Sequence, residues 1–114
     1  MNILAFFESD YNFSAMLAKI CDIESDSLIF MDKVNSLQKY SNKESTIVII
    51  DIDDYKNSLD ELINGLRKNG SCPIYGLISK MDIEIQKYAT KIGFDIVMTK
   101  SNFLYNIKTI KKKN

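Results

Sequence analysis

Residues 47–58, IVIIDIDDYKNS, run four apolar side chains straight into three carboxylates within four positions. The apolar half has the continuous hydrophobicity of a strand buried on both faces, as in a parallel sheet covered by helices on either side. The acidic half follows at that strand's carboxyl end. One acid there is an ordinary turn signal, but three repel one another unless a positive charge is shared among them. A metal site, a phosphate-handling site and a solvated loop are the readings open at this point.

Working outward, four more apolar runs share this character: ILAFF (3–7), LIFM (28–31), IYGLI (74–78) and IVM (96–98). Between the runs, apolar residues recur at helical spacing. The stripes are Phe13, Met16, Leu17 and Ile20; Leu59, Leu62, Ile63 and Leu66; and Ile85, Tyr88, Ala89 and Ile92. Leu104, Ile107 and Ile110 make a thinner last stripe, and Val34, Leu37 and Tyr40 make the weakest, inside a polar segment. Ser58 followed by Glu61 predicts a capping-box start for the third helix. Asn69-Gly70 and Gly93 predict helix stops, and Ser101 a cap for the fifth helix. This alternation predicts an α/β fold of the (βα)5 type, a doubly wound five-stranded parallel sheet; the five-strand order 2-1-3-4-5 would put its switch point between the first and third strands.

Composition narrows the function classes. A chain of 114 residues is one domain with room for a real core. Lysines plus arginines number 15 and the acids 15, so no net charge draws the chain to nucleic acid or membrane. MNILAFFESD (1–10) lacks a basic segment and meets an acid after its apolar run, which fits neither a signal peptide nor a membrane span. Cys21 and Cys72 form no CxxC pair and are read as packing residues of a reduced, cytoplasmic protein. There is no histidine, which excludes Ser-His triads, histidine metal sites and a phosphohistidine carrier.

In a doubly wound sheet, ligands bind beyond the carboxyl ends of the strands where the strand order reverses. The first strand delivers Phe7-Glu8-Ser9-Asp10 to that rim and the third delivers Asp51-Ile52-Asp53-Asp54. Ser79-Lys80 arrives from the fourth strand and Thr99-Lys100 from the fifth. Carboxylate oxygens suit Mg2+, and an ammonium neutralises phosphoryl oxygens.

On these residues the chain resembles the receiver (CheY-like, flavodoxin-like) domain of bacterial two-component response regulators. IVIIDIDD (47–54) matches the family's third strand and places Asp51 at the phosphoacceptor aspartate. GFDIVMTKS (93–101) matches its last-strand signature and places Lys100 at the lysine that contacts the phosphoryl group. PIYGLISK (73–80) follows the fourth-strand pattern. The resemblance implies a non-enzymatic signalling switch in residues 1–112, with 113–114 a tail or the start of a linker. It implies phosphorylation by a sensor histidine kinase, with Mg2+ held by Asp51, the backbone carbonyl of Asp53 and an acid of the first-strand rim, Glu8 or Asp10. It further implies a homodimer through the fourth and fifth helices, where Ile83 and Tyr105 lie off the apolar stripes. DNA would be reached only through an output domain absent from this chain, as in a transcription factor, with KTIKKKN (108–114) as its linker or simply a solvated helix end.

The chain also departs from the family pattern. One acid stands where receivers carry two adjacent ones. The strand-end hydroxyl falls on Ile78, with Ser79 one step late, and the aromatic that rotates on activation falls on Val97. Receivers carry a proline after the lysine; here it is Ser101. These departures predict an atypical receiver, or a pseudo-receiver that binds partners without phosphorylation. VIIDIDD (48–54) also resembles the first motif of haloacid-dehalogenase-type phosphohydrolases, but Tyr55 replaces the usual threonine and two strands precede the motif.

Overall fold

Every strand pairing is parallel. The structure, a computed structural model, describes residues 1–31 and 45–113. Its strands are β1 (Asn2–Phe6), β2 (Ser27–Phe30), β3 (Thr46–Asp51), β4 (Ile74–Ile78) and β5 (Ile96–Thr99), in the order β2-β1-β3-β4-β5. The described helices are α1 (Tyr11–Ile23), α2 (Ile52–Tyr55), α3 (Leu59–Asn69), α4 (Ile83–Ile92) and α5 (Lys100–Lys113). The helix expected around Val34, Leu37 and Tyr40 lies outside the described residues.

β1, β3 and β4 are buried at every position, which is why their sequences show no polar alternation. Successive side chains still go to opposite faces, and the sheet therefore has two cores. Leu4, Phe6, Val48, Ile50, Ile78 and Val97 pack with α3 and α4 through Ile63, Leu66 and Ala89. Ile3, Ala5, Ile47, Ile49 and Leu77 pack with α1 and α5 through Phe13, Leu17, Phe103 and Ile107. Cys21 and Cys72 are free thiols packed on opposite faces. No described helix is long and apolar enough to cross a membrane.

Helix ends differ from the sequence reading in detail. Ser58 does precede α3, but its side chain makes no capping bond. Ser101 lies inside α5 rather than capping it. Thr99 Oγ1 accepts the Asn102 amide at 3.1 Å instead, because the helix begins two residues early at Lys100. Two lysines of the last helix make ion pairs: Lys108 with Glu24 at 3.3 Å and Lys111 with the buried side chain of Asp26 at 3.1 Å.

Gly76 sits in β4 where the sheet meets α2 and the α4–β5 turn. A Cβ there would stand 2.6 Å from Ile52 Cδ1 and 2.9 Å from Phe94 Cδ1. Gly76→Ala is expected to destabilise the fold by about 1–3 kcal/mol through overpacking, and Gly76→Val by more. Urea unfolding of the two variants beside wild type checks the order; equal midpoints for all three would contradict this packing.

Candidate functional site

Asp51 is the last residue of β3 and follows Ile47 and Ile49 onto the α1/α5 face. Only 1% of its surface is exposed. Its Oδ1 accepts the amides of Asp53 at 3.0 Å and Asp54 at 3.3 Å, so the carboxylate caps the single turn of α2. That turn was not expected from the sequence. Oδ2 points the other way and lies 2.8 Å from Lys100 Nζ.

Lys100 opens α5, and the burial of Phe103 and Ile107 against the sheet fixes where that helix starts. Its ammonium also lies 2.8 Å from Asp10 Oδ2 and 5.9 Å from the centre of the Phe7 ring. Phe7 stacks on Phe13 of α1 with ring centres 5.0 Å apart. Asp10 serves two purposes at once, because Oδ1 accepts the Phe13 amide at 3.0 Å and caps α1. Its two oxygens thus have separate partners, the start of α1 and the Lys100 ammonium.

The remaining acids are placed differently. Asp54 Oδ2 accepts the amides of Glu8 at 2.8 Å and Ser9 at 3.2 Å, while its Oδ1 takes the Ser9 hydroxyl. It thereby clasps the turn between β1 and α1 to the turn after β3. Asp53 Oδ2 accepts the Ser79 amide at 3.2 Å. Glu8 enters the network through its backbone amide, and its residue surface is exposed.

Ser79 follows the last residue of β4 at the rim. Asp51 pairs in register with Leu77, so the next residue on Asp51's face is Ser79, whereas Ile78 belongs to the opposite core. A groove of about 280 Å³ opens at the rim, lined by Asp10, Asn12, Met16, Ser79, Lys100 and Ser101. Counting same-face positions from Asp51's partner would have found Ser79. Val97 is a core residue of the α3/α4 face.

Electrostatics follow from this geometry. Burial pushes the Asp51 carboxyl up, and the Lys100 ammonium offsets part of that rise. The Lys100 bond, then the Phe13 amide, hold Asp10 below the usual aspartate value. Burial alone would raise Asp54, but the Ser9 hydroxyl and the Glu8 and Ser9 amides outweigh it and bring the group down. Burial would likewise lower Lys100, yet its bonds to Asp10 and Asp51 prevail and raise it. Lys100 is an ammonium throughout the physiological range.

For a divalent metal the donor set is poor. An ammonium already bridges Asp10 and Asp51, and Asp54, close enough to act on both, is taken up by the Glu8 and Ser9 amides and the Ser9 hydroxyl. Among the described residues no three acids, cysteines or histidines are disposed to hold a metal ion.

Lys100→Met would leave Asp51 buried without its counter-charge and is expected to cost about 2–4 kcal/mol of stability near neutral pH. Because the Lys100 pKa is raised in the folded state, its contribution is fully present below the ordinary value of 10.5 and lost as pH rises through the folded value. The gap between wild type and variant should therefore hold from neutral pH up to that value and narrow above it. Guanidinium unfolding across this range measures the gap; one that widens with alkaline pH would contradict the ion bridge.

No protein-family model matches the chain, and no curated protein does. Solved structures do. A response regulator of red-light signalling in R. palustris is 15% identical, with a TM-score of 0.70 over 96% of this chain and 90% of that one. A response regulator receiver protein from Pseudoalteromonas atlantica is 18% identical, with a TM-score of 0.65 over 98% of this chain and 97% of that one. With its strand order and its rim of converging side chains, the chain has the receiver fold of response regulators.

Proposed function

We propose that the domain is a signalling switch of the receiver kind, in which Asp51 accepts a phosphoryl group and Lys100 binds it. The observation that supports this best is the single ammonium 2.8 Å from both Asp51 and Asp10 at the mouth of a rim groove. In the transfer, an Asp51 oxygen bonds to phosphorus while the bond from phosphorus to the donor breaks. The donor's leaving atom keeps the electron pair, as an imidazole nitrogen of a kinase phosphohistidine would. Lys100 then turns from the aspartate to the new phosphoryl oxygens, where its charge counts most. Ser79, on Asp51's face of the sheet, is the hydroxyl placed to donate to the same group.

Val97 offers no aromatic ring to rotate, so the readout of such a switch has to run through Lys100 and the start of α5. A sensor histidine kinase is the donor class, and the exposed Ile83 on α4 and Tyr105 on α5 are the apolar side chains on offer for self-association. A role as the regulatory part of a transcription factor belongs to the same proposal, with DNA contacted by an output domain.

A second reading has its own support. Asp51 is almost inaccessible and closed over by Lys100, which suits a pseudo-receiver that binds partners without phosphorylation. Incubation with acetyl phosphate in buffer containing Mg2+, followed by intact-protein mass spectrometry, separates the two. The switch predicts one phosphoryl increment, lost in Asp51→Asn and reduced at least about tenfold in rate by Lys100→Met. An unchanged wild-type mass would favour the pseudo-receiver, and an increment surviving in Asp51→Asn would place the chemistry elsewhere.

A further inference from the structure

We infer that Lys100 is a built-in counter-cation that takes the place of a divalent ion between Asp10 and Asp51, so that the resting pocket excludes Mg2+. The Lys100 ammonium is within 2.8 Å of one oxygen on each carboxylate. Their other oxygens are engaged by backbone amides at the starts of α1 and α2. Neither side chain can therefore swing toward a metal without uncapping a helix.

Two further acids of the rim are already engaged. Asp54 is held by the Glu8 and Ser9 amides and the Ser9 hydroxyl, and Asp53 by the Ser79 amide. Glu8 turns to solvent. Mg2+ demands near-octahedral oxygen geometry and gives up its waters reluctantly, so it gains little from two half-engaged carboxylates. It would also sit against a fixed ammonium, and like charges at such separations repel strongly near a protein surface. The inference concerns the resting pocket and stands whether or not Asp51 takes a phosphoryl group.

Mn2+ is the probe, because the free hydrated ion has a sharp paramagnetic resonance signal that is lost on binding. Titrating the full chain with Mn2+ should leave the wild-type signal unchanged up to roughly millimolar ion, the weak end of biological carboxylate sites. Lys100→Met and, as a second variant retaining a polar end, Lys100→Gln should gain binding by about tenfold or more once the ammonium is gone. Adding Asp10→Asn to either should abolish the gain. Far-ultraviolet circular dichroism of each variant establishes that it is folded. Wild-type binding well below millimolar ion would overturn the inference, as would folded Lys100 variants that remain as silent as wild type.

Discussion

Lys100 joins three pieces of chain that share no local sequence: the turn after β1, the end of β3 and the start of α5. Its ammonium reaches Asp10 across 90 residues of sequence. Such a bridge forms only if the sheet is wound in the order that brings β1 beside β3 and lays α1 and α5 on one face. Conversely, the bridge keeps a buried carboxylate from standing alone at the edge of the core, which would cost several kcal/mol. Fold and site thus depend on each other through one positive charge.

The acids of IDIDD then divide their tasks by direction. Asp51 faces the ammonium and caps α2, Asp54 closes the turn after β1, and Asp53 closes the turn after β4. The clustering that looked self-repelling in sequence is offset in space, because each carboxylate has its own donors even though Asp54 still pushes Asp51 and Asp10 upward. Backbone amides supply most of them. This is an inexpensive way to hold negative charge, since those amides sit at helix starts and tight turns with no other partners.

Much of this was legible in the sequence. Strands buried on both faces read as unbroken apolar runs, and their alternation with helical stripes pointed to a parallel sheet with helices on both faces. The meeting of Asp51 and Lys100 could be read because strand ends in such a sheet share a rim. Ser79 could not be read with the same ease, and the reason is physical. A strand buried on both sides has no polar alternation to mark its faces, so Ile78 and Ser79 look equivalent until the pairing of Asp51 with Leu77 sets the register. The one-turn helix α2 was hidden too, because its cap is the site aspartate itself. Thr99 rather than Ser101 starts α5 for a related reason: both residue types can cap, and packing of Phe103 decides between them.

The two ends of α5 are anchored to the early part of the chain, at Asp10 through Lys100 and at Asp26 and Glu24 through Lys108 and Lys111. During synthesis α5 is the last of these elements to leave the ribosome. Until it does, one side of the nascent sheet lacks Phe103, Ile107 and Ile110, and its apolar surface stays open to other hydrophobic surfaces in the cell. Completion of the domain on that side is thus a late event.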